Sequence, residues 1–347
     1  MYIKKILWII AIAGLVALGI FSYSVYDSIF SPNTKFKSNT ATVYIPTGAT
    51  YQTAIDSLRP LINDLSSFNA VAQKKGYSVN VKAGKYILKK DMNNNDLVNV
   101  LRSQNTPVSV VFNNQERLEE LAGRIAVQIE PDSISLLNIM KEEAFLNAND
   151  FVSAEALSIY IPNKYEFFWN TSAEGFRERM LTEYKRFWNT ARLDKAKEIG
   201  LTPNQVAVVA SIVQKETAKV DERPKVAGVY MNRINNGWKL EADPTVIYAI
   251  KEQSGNFDTV IKRVLYKDLK LVSPYNTYMN IALPPGPIAM PDISSIDAVL
   301  NYEKHKYYYF VADVENFGYH KFAKNLAQHN RNKQAYVRWI NKQGVNR

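Results

Sequence analysis

The sequence predicts an α+β protein behind an N-terminal transmembrane helix, and three observations carry that prediction. Residues 6–23 form one unbroken apolar run, ILWIIAIAGLVALGIFSY. Residues 42–101 alternate short strand patterns with amphipathic helix patterns in the order β-α-α-β-α. Beyond a buried-strand signal at 107–112, helical periodicity dominates.

The apolar run has the roughly 20 residues a helix needs to cross a bilayer. Lys4 and Lys5 precede it, which places residues 1–5 in the cytoplasm. Trp8, Tyr23 and Tyr26 lie near its ends, where aromatic rings favour the interface. A cleaved signal peptide would have a shorter core, about 7–15 residues, and a small-x-small site, which FSYSVYDSIF lacks. An uncleaved anchor over 6–26 is therefore expected, with the rest of the chain exported. Residues 27–40, containing SPNTKFKSN, read as a polar linker. A first module at 41–105 has a strand at 42–45, helices at 53–62 and 67–74, and a strand at 80–83 that turns at Gly84 and continues through 85–88. Its last helix starts at Asn94 and places Leu97, Val98 and Leu101 on one face. An intermediate α/β region follows at 106–200. It contains the strand PVSVVF, a helix around Leu136, Leu137 and Ile139 capped by Ser133 or Ser135, core aromatics Phe167, Phe168 and Trp169, and one long helix over 176–194.

The third module, 201–347, opens with the clearest local signal. Thr202 caps, Pro203 suits the first helical position, and Gln205 completes a Thr-x-x-Gln capping box. The following VAVVASIV is apolar nearly all round, so the first three turns are expected to be buried. Glu216 lies three residues after Val213, four after Ile212 and seven after Val209, on their face and not beside Ser211 and Lys215. A carboxyl emerging from an apolar face loses hydration, which raises its pKa toward the range an acid catalyst needs. Thr217 offers a hydroxyl to a substrate or to the carboxyl. The residues alone leave a second reading open, in which Glu216 ends its helix in an ion pair with Arg223 or Arg233.

Composition excludes several chemistries. Cysteine is absent, which removes disulfides, thiolate metal sites, a Cys nucleophile and a lipid-modified Cys. The three histidines, His305, His320 and His329, include no i, i+4 pair, so a zinc enzyme is disfavoured and no metal or cofactor is expected. No G-x-S-x-G elbow is present. The net charge of +10 suits an anionic partner, although scattered acids also fit a plain solvated basic surface. Export and the lack of a recognised motif argue against nucleic acid.

Three blocks occur in order: ASIVQKETAKVDERPKVAGVYMNRINNGWKLEADPTVIYAI at 210–250, SPYNTYMNIALPPGPIAMPDISSIDAVL at 273–300, and YYYFVADVENFGYHKFAKNLAQHN at 307–330. Together they closely resemble the endolytic murein transglycosylases of the MltG (YceG-like) family. Three ordered blocks over about 120 residues are far more specific than one short motif. The β-α-α-β unit, with AGKY at 83–86, looks like that family's LysM-like module.

The resemblance implies a mixed α/β C-terminal catalytic domain at 201–347. It implies cleavage between N-acetylmuramic acid and N-acetylglucosamine inside nascent glycan strands, leaving 1,6-anhydro ends without use of water. The family's essential glutamate falls on Glu216 in Gln214-Lys215-Glu216-Thr217. Many relatives carry Glu where Gln214 stands; an amide cannot transfer a proton, so the role rests on Glu216. Substrate contacts are expected from Thr217, Arg233, Asp243, Asn276, Thr277, Tyr278 and His320. Several of these have a structural alternative. Asp243 is a carboxylate held at the site or an Asp-Pro helix cap. Arg233 pairs with Glu216, binds a peptide-stem carboxylate, or forms a purely structural ion pair. Asn276, Thr277 and Tyr278 offer sugar contacts or an Asx-type turn. His320 donates to an acetamido carbonyl or is a structural hydrogen-bonder. The LPPGP run at 283–287 is a stiff wall loop, and Glu222 and Arg223 cap and brace a helix from Pro224. Implied partners are peptidoglycan glycan strands, the membrane and glycan-polymerising synthases. The alternatives are a non-catalytic, membrane-anchored wall-binding scaffold and a hydrolase that uses water.

Overall fold

Helix α1 (Tyr2–Phe30) carries the apolar run past its end by a further two turns. It buries no residue, and it is long and apolar enough to cross a membrane. The computed structural model describes residues 2–342. It is a mixed α+β fold dividing into two units, Met1–Val110 with Val127–Pro131 and Tyr165–Ser172, and Val111–Ala126 with Asp132–Lys164 and Ala173–Arg347.

In the first unit, β1 (Thr40–Ile45) pairs antiparallel with β2 (Gly84–Lys89), with Val43 opposite Tyr86. Helices α2 (Tyr51–Leu58) and α3 (Leu65–Lys74) connect them, and α4 (Asn94–Ser103) follows. Strand alternation turns Val43, Ile45, Tyr86 and Leu88 onto the apolar faces of these helices, including Leu58, Phe68, Leu97 and Leu101. The β-α-α-β order is as expected, with two differences. Residues 80–83 form no strand; they fold over Tyr86, whose buried hydroxyl donates to the Lys82 carbonyl at 3.0 Å. A phenol in a core needs such a partner. Gly84 opens the strand at φ 148°, where a Cβ would meet Asn105 at 2.4 Å.

The segment expected as a linker is built into this unit. Asn33, 5 % exposed, donates to Asn94 Oδ1 at 2.7 Å and to the Asp64 carbonyl at 2.8 Å. Asn94 in turn donates to the Ser28 carbonyl at the end of α1, at 2.8 Å. Bridges Pro32–Asn93 and Thr34–Ile62 continue the seam.

Strands β3 (Pro107–Phe112) and β4 (Asn163–Phe168) pair with each other, and the division between units falls within both. Alternation along β4 leaves Phe167 buried and Phe168 exposed, so only one of that adjacent pair is core. The second unit begins with α5 (Leu118–Ala126), α6 (Ser133–Met140) and α7 (Glu143–Ala148). Asp132, not Ser133 or Ser135, caps α6 by accepting from Ser135 N at 2.7 Å. The long helix expected over 176–194 is two, α8 (Ala173–Phe187) and α9 (Thr190–Glu198). Trp188 turns into the core between them, and Asn189 caps the second through Arg192 N. The remaining helices are α10 (Pro203–Glu216), α11 (Arg223–Asn235), α12 (Asp243–Ser254), α13 (Ile293–Leu300) and α14 (Leu326–Lys342). A hairpin of β5 (Tyr309–Ala312) and β6 (His320–Ala323) precedes α14. The core gathers around α10, packed by α11, α12 and α13. Gly228 lets α11 approach residues 303–305; a Cβ there would lie 2.3 Å from the Glu303 carbonyl oxygen.

Candidate active site

Helix α10 begins with the expected box: Thr202 accepts from Gln205 N at 3.2 Å, and Gln205 Oε1 accepts from Thr202 N at 2.9 Å. Every residue from Val206 to Val213 is buried, so this helix is a fixed rod in the core. Its last residue is Glu216. Lys215 points elsewhere and pairs with Glu116 at 2.6 Å, as helical spacing requires. Tyr230, buried on α11, donates its hydroxyl to Glu216 Oε1 at 2.5 Å.

Burial pushes the Glu216 carboxyl up to about 7. The Tyr230 hydrogen bond opposes this, Asp243 adds to it by like-charge repulsion, and His320 and Arg233 pull the other way. Burial and the facing carboxylate hold the Tyr230 phenol well above its ordinary value, so it stays a donor. Glu216 and Tyr230 face a cavity of about 550 Å³. Asp243 and Tyr278 line the same space, and the Tyr278 hydroxyl donates to Asp243 Oδ1 at 2.7 Å. The walls come from residues 263–266 with Leu269, from Tyr309 and Phe310, and from Leu326, His329 and Lys333 on α14. A hollow of mixed polar and apolar lining, with one half-dry carboxyl and one exposed carboxylate, suits proton transfer to a bound molecule.

The YceG-like family model matches residues 43–335. The chain belongs to the YceG-like family. An endolytic murein transglycosylase of Bacillus subtilis (strain 168) is similar to this YceG-like chain at 28 % identity over 338 residues, covering 92 % of the chain and 90 % of the relative. One of Streptococcus pneumoniae (serotype 2, strain D39) shares 28 % over 361 residues, covering 95 % of the chain and 64 % of the relative. The crystal structure of a yceG-like protein from Listeria monocytogenes superimposes with a TM-score of 0.57 at 28 % identity, covering 84 % of this chain and 98 % of that one.

The expected site residues of this YceG-like chain separate into two groups. Glu216, Asp243, Tyr278 and Arg233 line the cavity. Thr217, Asn276, Thr277 and His320 are not among its lining residues. Asn276 is fully buried; it donates to the Leu269 and Leu271 carbonyls and accepts from Tyr278 N at 2.9 Å, so it shapes the turn that presents Tyr278. Thr277, equally buried, accepts from Ala242 N at 3.0 Å and meets the Thr245 hydroxyl at 2.8 Å, fixing the start of α12. Thr217 is 3 % exposed, and its hydroxyl accepts from Lys219 N at 3.1 Å. His320 donates through N and Nδ1 to Glu222, at 2.6 and 2.9 Å. Burial raises the Glu222 carboxyl, but these hydrogen bonds outweigh it and hold the group below its usual value.

Neither arginine pairs with Glu216. Arg223 binds Asp292 at 2.8 Å. Arg233 is spent on the Leu240 and Tyr308 carbonyls at 2.5 and 2.9 Å, with Glu241 at 3.5 Å. Gln214 accepts from Asp292 N at 2.6 Å and Ser295 Oγ at 3.1 Å, bracing α13. Pro285 and Pro287 of the LPPGP run line a second cavity, not the one at Glu216. Tyr230 was not anticipated, although a phenol amid the apolar VAGVYM signals a buried hydroxyl needing a partner. Arg263, His329 and Lys333 carry no local signal.

Proposed function

We propose that this chain is a membrane-anchored peptidoglycan lytic transglycosylase that cuts inside nascent glycan strands, with Glu216 as single general acid and base. The observation that carries this is the Glu216 carboxyl, held at the end of a buried helix, desolvated to about 7 and open to a sugar-sized cavity. Near neutral pH such a group is present in both protonation states. Protonated Glu216 gives its proton to the glycosidic oxygen as the bond to muramic acid C1 breaks. The sugar's 2-acetamido oxygen supports the developing positive charge, a recognised exception to the two-carboxylate rule. Ionised Glu216 then takes the proton of the C6 hydroxyl as that oxygen closes on C1, giving the 1,6-anhydro end. The nucleophile is already attached to the substrate, which favours it strongly over water.

Tyr230 holds the carboxyl oxygen in place, and Tyr278 offers a ring face to a pyranose. The β-α-α-β unit, read as LysM-like, would hold glycan, and the anchor would confine cutting to new strands near the synthases at the membrane, with the catalytic unit outside the cytoplasm. One observation favours a second reading, a hydrolase: Asp243 places another carboxylate in the cavity. Mass spectrometry of uncrosslinked glycan digested by the purified chain decides. Anhydro ends that vanish with Glu216→Gln, at least about 100-fold slower, are expected. Reducing ends would establish the hydrolase, and no cleavage the scaffold.

A further inference from the structure

The arginine expected to meet a peptide-stem carboxylate is buried, and its Nε and Nη1 are already held by backbone carbonyls. Arg233 is 7 % exposed, with its donors on two backbone carbonyls and Glu241 nearby. Two other cations line the Glu216 cavity, and they stand 70 positions apart in the sequence. Arg263 stands on the irregular segment between α12 and the short 3-10 turn at Asp268–Lys270. Lys333 stands on α14, seven residues after Leu326 and four after His329, so the three share the face turned to the cavity. Both cations are exposed, and neither makes a hydrogen bond or ion pair among the described residues.

On the substrate side, the glycan backbone offers only neutral hydroxyl and acetamido groups. Its negative charge lies on carboxylates of the peptide stem, attached through the lactyl group at C3 of muramic acid. That ring carries the bond Glu216 would cut, so its stem must leave from the same cavity.

Resting on the transglycosylase reading, we propose that Arg263 and Lys333 together receive a carboxylate of the peptide stem and thereby select stem-bearing strands. The Arg fork and the Lys ammonium would flank the anion with charge-assisted hydrogen bonds. His329 lines the same cavity one turn before Lys333 on α14. It stacks on Tyr309 at a centroid distance of 5.2 Å, and its buried Nδ1 has no hydrogen-bond partner among the described residues. Burial first, and then Lys333, lower its pKa, so it contributes a neutral imidazole and leaves charge recognition to the two cations.

The test compares two substrates on the full chain in detergent. One is native uncrosslinked glycan; the other is the same glycan with its stem carboxylates converted to amides, so that length is kept and charge removed. The wild type is expected to show a KM roughly fivefold to tenfold lower on native strands, the size of one or two exposed charge pairs. In the Arg263→Gln, Lys333→Gln double variant that ratio falls toward one, with the loss appearing in KM on native strands. The conservative Arg263→Lys, Lys333→Arg pair restores it. A structural defect would raise KM on both substrates and leave the ratio intact. Equal wild-type KM values, or an unchanged ratio in the double variant, would overturn the subsite. A wild type that leaves no anhydro ends on native strands would instead overturn the transglycosylase reading.

Discussion

At Glu216, desolvation and hydrogen bonding oppose each other, and that opposition can be measured. The Tyr230 hydroxyl favours the ionised carboxyl, whereas Asp243 disfavours it. Tyr230→Phe should therefore move the alkaline limb of kcat/KM to higher pH, and Asp243→Asn should move it to lower pH. Shifts in the same direction in a pH–rate series would contradict this account. The same carboxyl links stability to pH. Its ordinary value is 4.5 and its folded value about 7, so between these the folded chain binds the proton more tightly than the unfolded chain. The stability from this group is full below 4.5 and falls as pH rises to about 7, by roughly 3 kcal/mol for a shift of this size. Glu216→Gln is accordingly expected to raise Tm over wild type at pH 8 and to change it little at pH 4.5. A Tm difference independent of pH would sink that claim. The position of Glu216 on its helix face was legible in the sequence, because helical spacing is local. Its partner was not, because Tyr230 reaches it only through the packing of α11 on α10.

Among the elements, α10 is the one most fully written in its own residues: cap, first-turn proline, capping box and apolar run all act within a few positions of one another. The segment after α1 shows the opposite case. SPNTKFKSN has linker composition, yet Asn33 and Asn94 lock it to the module because each amide finds partners distant in sequence. Replacing Asn94 by Leu would remove its bonds to the Asn33 amide, the Ser67 hydroxyl and the Ser28 carbonyl. The expected loss is about 2–3 kcal/mol in denaturant unfolding of the full chain. A loss under about 0.5 kcal/mol would mean that these bonds carry little weight. The break between α8 and α9 escaped the periodic reading for a related reason. Asn189 is compatible with a helix surface, and only the inward turn of Trp188 makes it a cap.

For the whole molecule, the proposed function assigns separate tasks to the apolar helix α1 and to the unit that holds Glu216. Helix α1 buries nothing, so its long apolar surface is available to lipid. Deleting residues 2–26 should move the protein from the membrane fraction to the soluble fraction while cleavage of uncrosslinked glycan in solution persists. Retention in the membrane after a salt wash would reveal a second attachment. The net charge of +10 is partly resolved at this scale as well. Many cations end in ion pairs, as Lys215 and Lys251 do on Glu116, whereas Arg263 and Lys333 make none among the described residues and line the cavity that Glu216 faces.

What the sequence determined by itself is what acts over one or two turns of chain: the apolar N-terminal helix, the β-α-α-β order, the start of α10 and the face on which Glu216 emerges. The tertiary structure alone decided which side chains reach that carboxyl. It turned Asn276, Thr277 and Arg233 toward backbone groups they must satisfy, and brought Arg263 and Lys333, 70 positions apart, to one hollow. The reason is that a buried polar atom is matched by whatever packing brings near it, and nothing in the spacing of residues along the chain records that match.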